Sequence, residues 1–437
     1  MGVVMTVGAP EAGGLCALSL FGREQDSLEF SGIITRAGHG SVRRYLVGMS
    51  RDTLTNRLIP PAPSIPAESL HVDGDAVVYR LFDVGYEIAL DRVLELLATQ
   101  APARVRPVRG EAQALQIPNP PITVILGTEA VVLGGDRLTV EVSARIFDFG
   151  VVSLRARVPA PVNSSWHGFV DFGEQLDTAA VIPELLDGHL RSLVDRIRPC
   201  IERPAIAPQT EDYIVYRVVR LSDAQGVPVL PAMLHDTLVS PLLLNDRRAL
   251  SVEAMRELLP HRFSYTSEDL AILTWDNALV VDPSLVDTDV QFILEFANAQ
   301  LLELRFYDAT LDAELPRMYD RIEAARPGSR GMSFFSRRYA PLLAELQRTV
   351  ADSTELVERV ENALKVTDDV YLARIYASAL ELFRGRTWRA GIDRKLAIIR
   401  ETYSMLNDEQ QSARSEALEV AIVLLIVLEL LLAIFRH

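Results

Sequence analysis

Lysine is nearly missing from this chain: Lys365 and Lys395 are the two present, and arginine supplies the rest of the 44 basic residues. Acidic residues number 59, so basic charge is short overall and the net charge is −15. A protein that neutralises phosphates across a broad surface needs the opposite balance, which argues against specific or general nucleic-acid binding. Cysteine is scarce too. Cys16 and Cys200 are too few for a disulfide framework or a cysteine zinc site, and a reducing compartment is the expectation. Met1 to Leu20 carries no basic n-region, so no secretory signal is expected and anchoring falls to the far end. Signature motifs are missing as well: no Gly-x-Gly-x-x-Gly, P-loop, Cys-x-x-Cys or His-Glu-x-x-His occurs. The histidines (His39, His71, His167, His189, His235, His261, His437) include no pair three or four apart, as helical metal ligands would be. No cofactor, metal site or catalytic residue is expected, and the reading is of a protein that is not an enzyme.

What is abundant is apolar sequence, 49% of the residues, and its strongest order lies at the C-terminal end. From Trp388 to His437 the chain reads as one helix. Ile392, Leu396, Ile399, Tyr403 and Leu406 recur at alternating steps of four and three, the seam of a helix packed lengthwise on other helices. Beyond Val420 the polar face disappears. Val420, Ile422, Leu424, Leu425, Ile426, Val427 and Leu428 precede Glu429, and Leu431, Ile434 and Phe435 follow it. A helix that is apolar all round lies in lipid or inside an oligomer. Ala417 to Phe435 is nineteen residues, about 28 Å of helix against a hydrocarbon core of about 30 Å. A single-pass membrane anchor over 417–435 is therefore expected, with Glu429 as its one unusual acid. Arg394, Lys395, Arg400 and Arg414 precede it, which the positive-inside rule places in the cytoplasm of a bacterial-type cell. The alternative is a cytoplasmic oligomer packed through the same helix.

Upstream, the chain divides by grammar. Residues 1–70 read poorly, with strands near Cys16–Leu20 and Val42–Val47 and a proline-rich linker from Leu58 to Pro66. Residues 71–225 run strand, helix, strands, helix, strand: Ala76–Phe82, a helix from Tyr86 to Leu97, strands over Ile122–Leu126, Ala130–Leu133, Leu138–Phe147 and Val151–Val158, a helix within Glu174–Ile197, then Tyr213–Leu221. Gly134-Gly135-Asp136 and Asp148-Phe149-Gly150 read as turns. This is the order of a split βαββαβ sheet with helices on one face, so the fold class is α+β. Residues 226–285 connect, with a hairpin at Trp275-Asp276-Asn277. Residues 286–416 change to a stalk of long antiparallel helices, the first kinked or divided at Pro316 and the second spanning about Ala340–Phe383.

Candidate chemistry is thin. Ser164-Ser165-Trp166-His167 reads as a surface loop, because adjacent residues do not make a nucleophile and its base. Glu295 and Glu303 share a helix face with Asp308 nearby, a charged stripe in solvent or, in an enzyme reading of the α+β domain, a metal site. Arg317, Arg321, Arg330, Arg337 and Arg338 cluster around a helix turn, where they are candidates for contact with lipid headgroups or a partner.

Two blocks carry a family likeness. Val370-Tyr-Leu-Ala-Arg-Ile-Tyr376, Trp388, Asp393-x-Lys395-Leu396, Tyr403-x-x-Leu406-Asn-Asp408 and Leu418-Glu419-x-x-Ile422 resemble the tail of the required-for-meiotic-nuclear-division (Rmd-type) family. Ile146-Phe-Asp-Phe-Gly-Val-Val152 resembles a strand turn of that family, although the aromatic residues expected after it are missing. The resemblance implies a membrane-held, oligomeric, non-catalytic assembly protein and supplies no catalytic residue. The sequence as a whole points to a scaffold or tether: a sheet domain, a helical stalk and a C-terminal anchor, forming a homo-oligomer that binds a further protein not named by the sequence. Rival readings are a soluble ring or filament and a metal-dependent enzyme.

Overall fold

The computed structural model describes residues 66–98, 103–104, 119–248, 250–284, 288–325 and 369–435, four strands within residues 1–65, and single helical positions between 344 and 354. The chain divides into two compact units, Met1–Ile65 and Pro66–His437. In the first, β1 (Val4–Val7), β2 (Cys16–Phe21), β3 (Phe30–Gly38) and β4 (Ser41–Met49) pair antiparallel in that order. The two strands expected here are β2 and β4. Residues 58–65 of the proline-rich stretch lie outside the described residues.

The second unit opens with β5 (His71–Asp83), β6 (Glu87–Ile88), helix α1 (Leu90–Leu96) and β7 (Ala103–Arg104). Three strands follow, β8 (Ile122–Leu133), β9 (Asp136–Ile146) and β10 (Val151–Pro159). Then come β11 (Ser164–Ser165), α2 (Trp166–Thr178), α3 (Val181–Ile197), β12 (Ile201–Glu202) and β13 (Thr210–Ser222). Helices α4 (Asp236–Leu243) and α5 (Val252–Leu258) lead to strands β14 (His261–Phe263), β15 (Leu270–Leu273) and β16 (Asn277–Val281). Ten strands make one sheet in the order β14-β15-β16-β13-β5-β10-β9-β8-β7, with β11 added beside β5.

Gly134 and Gly135, both at positive φ (59° and 97°), join β8 to β9 in the conformation a two-residue hairpin demands. The Asp148-Phe149-Gly150 turn joins β9 to β10. There Gly150 has φ +96°, and a Cβ would fall 1.9 Å from the Gly85 carbonyl oxygen. These two turns put three strands between the helices where a split βαββαβ sheet has two. The central strands β13-β5-β10-β9-β8 consequently pair antiparallel throughout, and the parallel pair is β13 with β16. Helices also cover both faces, not one. On β5, Val77, Tyr79 and Leu81 share a core with the long helix described next, while Arg80 bonds Asp187 of α3 behind the sheet. Burial on both sides explains why Val151–Ala156 of β10 is continuously buried instead of alternating.

Helix α6 (Asp289–Ala325) is single and passes through Pro316 undivided, with that proline on its exposed side. Its first half is no stalk: Ile293, Leu294, Ala297 and Leu302 are completely buried against the sheet and against α7 (Val370–Leu382). The borders drawn at 225 and 285 fall inside this shared core. Asp369 caps α7, its Oδ1 accepting from the backbone of Tyr371 and Leu372; most of the expected helix before residue 370 lies outside the described residues. Helix α8 (Gly385–Phe435) completes the chain, and Ile392, Leu396, Ile399 and Leu406 pack on Leu304, Leu311 and Met318 of α6.

Two shorter expectations also change. The helix expected over Tyr86–Leu97 is shortened to α1, because Glu87 and Ile88 pair with β12. Ser164 and Ser165 are not loop: they pair with β5, and the Ser165 hydroxyl oxygen accepts from the Gly168 amide to cap α2. Among the described residues no helix is long and apolar enough to cross a membrane. The tip whose exposure is described, residues 418–431, makes about 21 Å of helix, short of the roughly 30 Å hydrocarbon core.

Candidate functional site

Polar residues at the sheet-facing end of α6 are buried, contrary to the solvated stripe expected there. Glu295 is 1% exposed and Glu303 2% exposed. Arg145 of β9 forms a buried ion pair with Glu295 and stands 4.7 Å over the Phe292 ring. Arg305, further along α6, pairs with Glu211 at the start of β13. Tyr376 of α7 donates to the Gln300 side chain from the other side. Near these pairs sit two carboxyls held partly or wholly in the neutral form. Burial raises Asp83 to about 7, against the pull of a hydrogen bond donated by the Gly85 amide at 3.1 Å. Burial, reinforced by the charge of Asp83, raises Glu303 well above the ordinary carboxylate range. Chemically this is a set of internal clamps: each charge is spent on another part of the fold. Asp308 is spent too, since Lys395 of α8 bridges Asp308 and Asp312 at 2.7 Å each. Glu295, Glu303 and Asp308 therefore do not converge on a metal, and among the described residues no acidic, cysteine or histidine group has the geometry to hold one.

An open cavity of about 370 Å³ lies behind the other sheet face, between α2, α4, α5 and the β15–β16 hairpin. Its floor is Tyr216, Leu242 and Leu243, which are buried. Glu174, Asp177, Glu257 and Asp276 stand on its rim, and Trp275 walls one side. Asn277 fixes the hairpin tip by donating to the Leu243 carbonyl at 3.1 Å, and Tyr213 donates to the Asn277 carbonyl at 2.8 Å. Sequence reasoning identified the hairpin but not the cavity, because the residues lining it come from six separated segments.

The residues singled out in the sequence fall into three groups. The seam is assembled: Ile392, Leu396, Ile399 and Leu406 are buried, while half-buried Tyr403 accepts a hydrogen bond from Gln347 at 2.8 Å. The residues expected to form an anchor, Val420, Ile422, Leu424, Leu425, Ile426, Val427, Leu428, Glu429 and Leu431, are exposed at the end of α8; Ile434 and Phe435 belong to the helix, but their side chains lie outside the described residues. The arginine cluster is not assembled among the described residues. Arg317 pairs with Glu314 at 2.6 Å on its own helix and Arg321 is exposed, whereas Arg330, Arg337 and Arg338 lie outside them.

Residues 73–288 match the family model described as "Uncharacterized protein MJ0711, N-terminal domain". Over 202 residues the chain is 28% identical to Uncharacterized protein MJ0711 of Methanocaldococcus jannaschii, an alignment that takes in 46% of this chain and 60% of that protein. No solved structure matches the chain. The matched segment runs from β5 to the residues before α6, and so holds every residue of the cavity except Leu382: in sequence, the cavity-bearing sheet region is similar to the N-terminal domain of the MJ0711 family.

Proposed function

We propose that this protein is a non-catalytic scaffold held at a membrane by the end of α8, with the sheet domain as its binding module, in a plan like that of the Rmd-type family. One observation carries the reading. Between Leu418 and Leu431, eleven large aliphatic side chains stand 46% to 64% exposed on all sides of the helix. At about 1.5 kcal/mol per side chain, on the order of 15 kcal/mol of hydrophobic free energy awaits a cover. A single protein partner would cover one side of such a helix; lipid covers every side. The sequence extends the run to Phe435, and Glu419 sits near enough to its start to reach the interface. The bulk of the chain then lies on the cytoplasmic side.

The test is flotation with phosphatidylcholine–phosphatidylglycerol vesicles, comparing the full chain with one ending at Gln411. The full chain floats and resists carbonate extraction, while the shortened chain stays at the bottom with its circular dichroism retained. Flotation of both would remove the tip as the anchor. The second reading, a soluble ring or filament joined through the same tips, is favoured by the four-three steps that continue into the exposed tip as Val420, Leu424, Val427 and Leu431. It predicts large, detergent-free homo-oligomers and release by carbonate.

A further inference from the structure

We propose that the cavity beside the β15–β16 hairpin binds a small organic cation, a primary amine carried on an aliphatic stem. The volume, about 370 Å³, is at the small end of the range that ligand sites occupy, about 300–1,000 Å³. Its floor is apolar and preformed. Gly173 of α2 lets Leu242 and Tyr216 close up to form it, since a Cβ at that position would meet Leu242 Cδ1 at 2.5 Å and Tyr216 at 3.2 Å. An aliphatic stem lying on Tyr216, Leu242 and Leu243 has apolar contact along its length, and the rim above decides the charge of the head.

That rim is acidic, and among the described residues no lysine, arginine or histidine lines the cavity. Of its carboxylates, Glu174 is compensated by Arg247 at 2.5 Å. Among the described residues Asp177 meets the neutral amide of Asn245, at 3.0 Å, and no cation. Asp276 accepts from Thr274 Oγ1 and from Asn277 Nδ2, both at 3.2 Å and both on Oδ1, so its charge is held in place by neutral donors. Glu257 has no ion pair among the described residues. The field of these groups reaches the floor: after burial itself, Asp177 and Asp276 are what push the Tyr216 hydroxyl above its ordinary ionisation. The wall completes the recognition. Trp275 is 47% exposed, braced edge-on by Phe383 at 6.2 Å, and already carries the Arg384 guanidinium 5.8 Å from its ring centroid. The exposed part of the ring is an apolar, electron-rich surface of the kind on which an ammonium head can rest. An anion meets repulsion here, and a neutral alcohol leaves the carboxylates without a counter-charge.

Isothermal titration of the full-length protein with 1,5-diaminopentane tests this, with 1,5-pentanediol as the uncharged match. The diamine binds saturably at one site per chain with a Kd of about 1 mM or tighter; the diol does not. Asp276→Asn combined with Glu257→Gln weakens the diamine about tenfold, whereas Asp320→Asn, exposed near the C-terminal end of α6 and outside the cavity lining, leaves it unchanged. Glu257→Gln alone, at an exposed position of α5, gives a smaller loss and serves if the double variant does not fold. Equal binding of diamine and diol, no saturation, or rim variants that bind like the parent would each overturn the assignment.

Discussion

Arg145 and Glu295 hold the first half of α6 to the sheet through one buried ion pair. Removing one partner leaves the other charged, buried and unpaired, a loss of about 3–5 kcal/mol. Arg145→Met is therefore expected to lower the urea midpoint strongly, and Arg145→Met with Glu295→Met to recover most of the loss because no lone charge remains. A double variant as unstable as the single one would mean the pair is not the cause. Asp83 makes a separate, pH-dependent contribution. Its folded value of about 7 lies above its ordinary 3.8, so between these limits the folded chain holds a proton that the unfolded chain has released. Its stabilising share is complete below about pH 4 and is lost as pH rises through about 7, a cost of a few kcal/mol. Glu303 shifts in the same direction. Chemical denaturation from pH 5 to 8 should show the parent losing stability with a slope that Asp83→Asn flattens; an unchanged slope contradicts the assignment. None of these pairs was legible in the sequence. Glu295 lies 150 residues from Arg145, and a glutamate on a helix reads as solvated until the strand that faces it is known.

Elements were more legible than residues where local pattern alone decides them. The Asp148-Phe149-Gly150 turn, the Trp275 hairpin and the α8 seam came from spacing and turn chemistry, and all three are in place. Strand pairing was less legible, because a split sheet and an antiparallel meander share the same order of elements. They differ in how many strands stand between the helices, three here, and the first of these runs unbroken from Ile122 to Leu133 because Gly127 (φ +136°) absorbs the register shift after Ile125. The divided helix α2–α3 was missed because nothing in Ala179-Ala180 signals a break; Ala179 simply turns extended (ψ 113°). Two substitutions test the element scale. Gly150→Ala meets both a left-handed backbone and the Gly85 carbonyl, and should cost more than the roughly 1 kcal/mol of an ordinary strained glycine replacement. Leu396→Ala in the seam should cost about 2–5 kcal/mol, read as a lowered Tm; a neutral outcome would mean α8 is not clamped to α6 as described.

At the scale of the whole molecule, the sheet and the front of α6 spend their polar groups internally, whereas the end of α8 leaves its apolar groups unspent. That contrast is what the proposed role of the tip rests on. The apolar run itself was legible at once, because fourteen consecutive helical positions with two acids need no tertiary context to be read. The most direct measurement is the depth of the tip in a bilayer: a nitroxide attached at Leu425→Cys in a Cys16→Ser, Cys200→Ala background, with oxygen and nickel-chelate accessibility read in vesicles. The account predicts high oxygen and low nickel accessibility at this position, reversing at a label on Ser412. Equal nickel accessibility at both positions, with the protein vesicle-free and monomeric, would contradict it.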